Sequence, residues 1–239
     1  KFVKSFLEKR KRPPQKRQQK SVPMQQKLKN NKFELIQMPP HNTQSVIVSV
    51  GSDCVIFDPW GRAEDWANVL NERGLKLQAI YVTHGHPDHI SAAPKLAQMF
   101  GVPWYLHNAD FRLVGWGNDL LEYFGLPPIT IGDVRPTSLE LTRTEILPNM
   151  FMEIIETPGH TPGGVAYYFP DEQVIIIGDT LFQESVGRYD LPGGDKNMLM
   201  KSILNLYNLQ LPDETEVIHG HGMATTVEWL IKNNPYFHA

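Results

Sequence analysis

The sequence holds one cysteine, Cys54, among its 239 residues. A single thiol excludes an intrachain disulfide framework and fits a reducing compartment. Cys54 stands in the apolar run Cys54-Val55-Ile56-Phe57, so a buried, inert thiol is expected. No stretch reaches the roughly 18 apolar residues that a bilayer-spanning helix needs. No secretory apolar region is evident either, and the expected compartment is the cytoplasm. Positive charge is scarce outside the first residues. Of 23 Lys and Arg, 12 fall within residues 1–32 beside one acid, Glu8, leaving 11 bases against 25 acids in the rest. The net charge of -3 therefore hides a basic arm on an acidic body. Residues 1–32 are expected to form a flexible extension, because Arg12 to Lys20 offers little apolar surface to bury. Such an arm would touch an anionic partner, a nucleic acid or a membrane surface, or its own acidic body. Residues 33–239 are expected to form one folded domain.

Within that domain the apolar pattern alternates between strand and helix periods. Ser45–Val50 and Cys54–Phe57 read as a hairpin around Gly51-Ser52-Asp53. Ala63–Arg73 has helical spacing through Trp66, Val69 and Leu70, and Gly74 stops it. Leu77–Val82 is a short apolar strand, Ile90–Phe100 a helix, Trp104–Leu106 a strand, and Ala109–Phe124 helical with glycine interruptions. Strands follow at Phe151–Glu156, Val165–Phe169, Val174–Ile177 and Glu216–Ile218, with helices at Met198–Leu206 and Thr226–Asn233. Paired hairpins mixed with helices predict two packed sheets covered by helices, a four-layer α/β arrangement.

The densest chemistry lies in Thr83-His84-Gly85-His86-Pro87-Asp88-His89. Three imidazoles and a carboxylate within six residues form the ligand set of a borderline-soft divalent metal. Packing does not account for four metal-type ligands in one short loop, and they are enough for more than one metal ion, which points to hydrolysis rather than structure. His160, Asp179 and His221 also stand just beyond predicted strands, and strand ends on one sheet edge can converge. His219 competes with His221, but glycines flank His221 and allow its backbone to turn inward, so His219 is expected to end its strand. His107 is expected in a structural or rim position, and His41 and His238 at the surface.

These four segments, in this order, resemble the metallo-β-lactamase superfamily over about Phe33 to Phe237. Thr157-Pro158-Gly159-His160-Thr161-Pro162-Gly163-Gly164, Gly178-Asp179-Thr180-Leu181-Phe182 and Gly187-Arg188-Tyr189-Asp190 are similar to the glyoxalase II-like hydrolases, especially their short bacterial forms. The resemblance implies an αββα fold. It implies one metal on His84, His86 and His160, a second on Asp88, His89 and His221, and Asp179 between them. Asp88 and Asp179 would carry catalytic as well as ligand roles. Zinc is the expected metal, with iron or manganese as alternatives. The implied reaction is hydrolysis of a thioester such as a 2-hydroxyacyl-glutathione by a metal-bridging hydroxide, whose thiolate product departs without protonation. Arg188 and Tyr189 are candidate substrate contacts. Asp58, Thr83 and Thr161 are candidate supports of the ligand loops.

The pattern also departs from its relatives. Full-length glyoxalase II carries a C-terminal helical domain whose basic residues grip glutathione, whereas Lys232 is the one basic residue after His221 here. Persulfide dioxygenases use one iron and fewer ligands, so the presence of Asp88, His89 and His221 favours hydrolysis. Lactonases share the ligands but differ around the Thr-Pro-Gly-His segment, leaving a lactone or other ester as a further alternative. Metallo-β-lactamases proper use a Cys or another ligand where Asp179 stands.

Overall fold

The computed structural model describes residues 28–38, 42–129 and 135–237. Most of the basic arm lies outside the described residues, as do His41 and His238. The end of the arm that is described packs on the body. Leu28 is buried between the sheets, the Lys29 amide donates to the Glu216 carboxylate at 3.1 Å, and Lys32 pairs with Glu172 at 2.8 Å.

Among the described residues, twelve strands form two six-stranded sheets. The first contains β1 (Phe33–Gln37), β2 (Gln44–Val50), β3 (Asp53–Phe57), β4 (Lys76–Tyr81), β5 (Trp104–Leu106) and β6 (Thr137–Ser138). The second contains β7 (Thr144–Leu147), β8 (Met150–Glu156), β9 (Val165–Phe169), β10 (Val174–Gly178), β11 (Glu216–His219) and β12 (Thr225–Thr226). In both sheets the spatial order follows the chain order. Antiparallel neighbours need only short turns, but the parallel pairs β3–β4, β4–β5, β5–β6 and β10–β11 need crossovers. Helices supply them: α1 (Ala63–Arg73) between β3 and β4, α2 (Pro87–Ile90) and α3 (Ala93–Phe100) between β4 and β5. A 3-10 helix (Asn108–Leu113) and α4 (Asn118–Tyr123) follow β5. The helix α5 (Lys196–Asn208) bridges β10 and β11, and α6 (Val227–Asn233) follows β12.

Strand alternation sorts side chains into three apolar layers. On β3, Cys54 and Ile56 face Trp66, Leu70 and Leu96 of the first helical layer, while Val55 and Phe57 face the other sheet. On β9 and β10, Tyr167, Phe169 and Ile176 meet Phe57 and Tyr81 between the sheets, while Tyr168, Ile175 and Ile177 pack on Leu199, Ile203 and Leu230. Strands buried on both faces read as continuous apolar runs. Each fully buried Ile or Phe contributes about 1.5–3 kcal/mol before entropy is counted. The result is helix, sheet, sheet, helix: the αββα sandwich expected from the sequence.

Cys54 has no exposed surface, and burial, with Asp53 adding repulsion, pushes its thiol up to about 12. Native protein should therefore leave an aromatic disulfide reagent uncoloured at pH 8, with one equivalent of thiol appearing on denaturation. Rapid reaction of the native protein would contradict this burial.

Two expected helical segments are divided in the structure. The helix expected over Ile90–Phe100 is divided into α2 and α3 around Ser91 and Ala92, with Pro87 and Pro94 each opening a short helix. The stretch Ala109–Phe124 is divided at Gly115 and Gly117, both with positive φ. No helix among the described residues is long and apolar enough to cross a membrane.

Candidate metal centre

The two sheets bring their functional loops to one edge. On the first sheet, β3 leads directly to Asp58, and β4 to Thr83 and the loop carrying His84 and His86, while α2 carries Asp88 and His89. On the second, β8 leads to the His160 loop, β10 to Asp179, and β11 to His221. The sheets are tied together there: the Val165 amide donates to the Thr83 carbonyl at 2.9 Å, and the Tyr167 hydroxyl to the Val82 carbonyl at 2.7 Å.

All seven residues that the resemblance singled out as ligands converge. Ligand-type atoms lie within 4.8 Å of one another in each of three groups: His84, His86 and His160; His84, His89 and Asp179; and Asp88, His89 and His221. Asp179 reaches both histidine sets. Its Oδ2 is 3.6 Å from His160 Nε2 and 3.5 Å from His221 Nε2, and its Oδ1 is 3.4 Å from His89 Nε2. Asp88 Oδ2 stands 3.2 Å from His221 Nε2.

The donor atoms fit a metal on a physical test. Nε2 of His84, His86, His89 and His160, and Oδ1 of Asp179, are buried with no hydrogen-bond partner. A buried polar atom without a partner costs about 1–3 kcal/mol, and five such atoms aimed at one another fit a shared cation. Their orientation is fixed from behind. His160 Nδ1 donates to the Arg188 carbonyl at 2.6 Å, and His89 Nδ1 donates to Asp58 Oδ2 at 2.9 Å. His84 Nδ1 lies 3.0 Å from the Thr83 hydroxyl. Each arrangement leaves Nε2 facing the cluster, as metal-binding imidazoles require.

The electrostatics sort the cluster into two halves. Burial, reinforced by neighbouring imidazoles, holds His84 well below its ordinary range and His86 at about 3. Those rings are neutral donors. Burial also opposes charge on His89 and His221, but carboxylates outweigh it: Asp88, Asp58 and Asp179 hold His89 well above its usual range, and Asp179 and Asp88 raise His221 to about 10. Burial likewise pushes Asp88 and Asp179 up, yet the neighbouring His89 and His221 hold both well below the ordinary carboxylate range. Two anionic carboxylates thus draw positive charge into the centre.

Close approach is built into the loops. A Cβ on Gly220 would overlap Asp179 Oδ1 and come within 2.8 Å of His89 Cε1. Gly220→Ala should therefore push the His221 loop off the cluster. We expect roughly a tenfold to hundredfold loss of metal affinity, measured by competition with a chromogenic chelator; wild-type affinity would refute it.

The remaining candidates are placed as follows. Asp58 accepts from the Thr83 amide at 2.6 Å and the Thr83 hydroxyl at 2.7 Å, so it supports both the start of the loop and His89. Thr161 donates to Asp110 rather than to its own loop. His219 ends β11 and bonds the Leu181 carbonyl and the Thr225 hydroxyl, outside the cluster. His107 accepts from the Ala109 amide at 3.4 Å and caps the 3-10 helix. Arg188 grips Asp190 through two contacts of 2.8 and 2.9 Å at the surface. Tyr189 is exposed, with Lys196 Nζ 5.8 Å from its ring centre. Trp60 and Trp104 are core residues, whereas Trp116 lies 5.7 Å from His86 and Phe182 6.1 Å from His221. Asp110 was not singled out from the sequence. It is buried, and it bonds residues that are adjacent only in the fold.

A two-sheet sandwich with a buried His/Asp cluster at one edge is a metallo-hydrolase fold with a site suited to a divalent metal ion. The chain belongs to the metallo-beta-lactamase superfamily, whose sequence profile matches residues 38–221. It is 35% identical over 198 residues to the hydroxyacylglutathione hydrolase GloC of Haemophilus influenzae, covering 82% of this chain and 90% of that one. Among solved structures, the BLEG-1 B3 metallo-beta-lactamase matches with a TM-score of 0.77 and 35% identity, over 87% of this chain and all of its own. TTHA1623 in a di-iron-bound form matches with a TM-score of 0.75 and 33% identity, over 84% and 98%.

Proposed function

We propose that this chain is a binuclear zinc hydrolase that cleaves a small thioester of the 2-hydroxyacyl-glutathione class. The observation that carries the reading is the position of Asp179, whose two carboxylate oxygens reach His89, His160 and His221 at 3.4–3.6 Å. His84, His86 and His160 would hold one ion, Asp88, His89 and His221 the other, and Asp179 both. When bound, the pair of ions supplies a water ionised near neutral pH and a positive field for the substrate carbonyl.

The chain's own groups do the rest. Asp88 and Asp179 remain anionic and can accept a hydrogen bond from an attacking water, aiming its lone pair at the acyl carbon. The backbone carbonyl of Arg188 and the carboxylate of Asp58 hold the imidazoles of His160 and His89 in place, so no reorganisation is needed during the reaction. Trp116 and Phe182 flank the two sides of the cluster and would exclude bulk water from an acyl group. The Arg188–Asp190 pair is solvent-exposed and worth about 0–1 kcal/mol, so its guanidinium can exchange Asp190 for a substrate carboxylate. Tyr189 would offer an apolar face beside it. The relative named a hydroxyacylglutathione hydrolase supports the thioester class, and the lone buried thiol supports action in the reducing cytoplasm.

The test is metal quantification on protein purified without added metal, alongside a substrate panel. Two equivalents of zinc with turnover of a lactoyl thioester supports the reading. One equivalent of iron with oxygen uptake on a persulfide would replace it with a dioxygenase. Faster turnover of a lactone or a β-lactam than of any thioester would move the substrate class.

A further inference from the structure

The geometry points to Asp110 as the positioning residue that joins the His84–His86 loop to the His160 loop and so sets the shape of the three-histidine half of the centre. Asp110 lies in the 3-10 helix after β5 and has no exposed surface. Its Oδ2 accepts from the Gly85 amide at 2.9 Å and from the Thr161 hydroxyl at 2.7 Å, and its Oδ1 accepts from the Gly163 amide at 2.6 Å. Gly85 stands between His84 and His86, and Thr161 follows His160 directly. One carboxylate therefore spans two loops that belong to different sheets. Asp58, by contrast, serves Thr83 and His89, which both belong to the first sheet's side of the centre.

Several features mark this contact as specific. A buried carboxylate is costly unless each oxygen finds donors, and these three partners are neutral donors drawn from the two ligand loops. Charge-assisted hydrogen bonds of this length are about twice as strong as neutral ones. The loops are shaped to reach it. A Cβ on Gly163 would sit 2.8 Å from Asp110 Cγ, and one on Gly85 would sit 3.1 Å from Asp110 Cβ. The ring centres of His160 lie 4.7 Å from His84 and 4.5 Å from His86, so a small slip between the loops would change the donor geometry directly. The side-chain hydrogen bonds of Asp110 go to two backbone amides and to Thr161, so it acts through the loops rather than as a ligand.

This inference rests on the proposed reading of the centre as a metal site. Asp110→Asn keeps the size but replaces one acceptor oxygen with an NH2, which faces a donor on at least one arm. We expect the three-histidine site to bind metal roughly 10- to 100-fold more weakly, read by chelator competition with zinc. The site of Asp88, His89 and His221 should keep its affinity. With cobalt in place of zinc, the visible ligand-field bands of the weakened site should shift or lose intensity. Thr161→Val removes one of the three donors and should give a smaller loss in the same direction, in a protein that folds even if Asp110→Asn does not. Variants with lowered thermal stability but wild-type metal affinity and an unchanged cobalt spectrum would show a purely structural role and overturn the inference. Wild-type protein that takes up no ion would instead overturn the metal reading, so the two failures are separable.

Discussion

Asp179→Ala should lower kcat/KM by on the order of a thousandfold or more, the scale of losing a preorganised charged group from an active centre. The reason is positional. Among the described residues, Asp179 is the carboxylate whose oxygens approach both His160 and the His89–His221 side. Its removal takes a negative charge from between the two proposed ion positions and leaves His89 with less to balance it. Metal content should fall together with activity, toward one equivalent or fewer by elemental analysis. The backbone supports this separation of effects, since the Gly187 amide donates to Thr180 and the Gly220 amide to Gly178, not to the Asp179 side chain. The fold should therefore persist, as circular dichroism can check. Full activity with full metal content in this variant would remove Asp179 from the mechanism. His86→Ala should behave in the same way through the other half of the centre.

Asp58→Ala should produce the largest loss of stability, about 3–5 kcal/mol, the cost of breaking a buried charged network by removing one partner. Asp58 is nearly inaccessible and accepts from three groups: the Thr83 amide, the Thr83 hydroxyl and His89 Nδ1. Truncation strands all three donors in the interior. It also frees the His89 ring to rotate. Chemical denaturation should show a lower midpoint, and the surviving folded protein should bind metal less tightly. Asp58→Asn keeps the volume and one acceptor, so it should recover part of the stability. Equal stability of the alanine variant and the wild type would contradict the role given to this network.

The candidate ligands were legible because their chemistry is dense. His84, His86, Asp88 and His89 occur within six residues, and no ordinary helix or strand needs that composition. Cys54–Phe57, Val165–Phe169 and Val174–Ile177 were legible for a different reason, since strands buried on both faces leave unbroken apolar runs. Other elements left weaker traces. β1 alternates around Glu34 and Gln37 directly after the basic arm, so its five residues carry little contrast. β6 and β12 are two residues long and exist only because a neighbouring strand offers its edge. Asp110 had no signature at all, because its partners Gly85, Thr161 and Gly163 lie 25 to 53 positions away in sequence. A single carboxylate has no period, and its meaning arises when two sheets fold against each other.

The sheets themselves divide the chain cleanly. Every strand of the first precedes every strand of the second, with the exposed stretch Glu140–Arg143 as the junction. Each proposed ion nevertheless draws on both halves: His84 and His86 with His160 on one side, Asp88 and His89 with His221 on the other. The centre is therefore a clasp across a seam. An ion held at a hundred times its dissociation constant adds about 2.7 kcal/mol of cohesion, and here that cohesion falls on the joint between the halves. Metal supply would then govern how tightly the two halves stay closed as well as how fast the centre turns over.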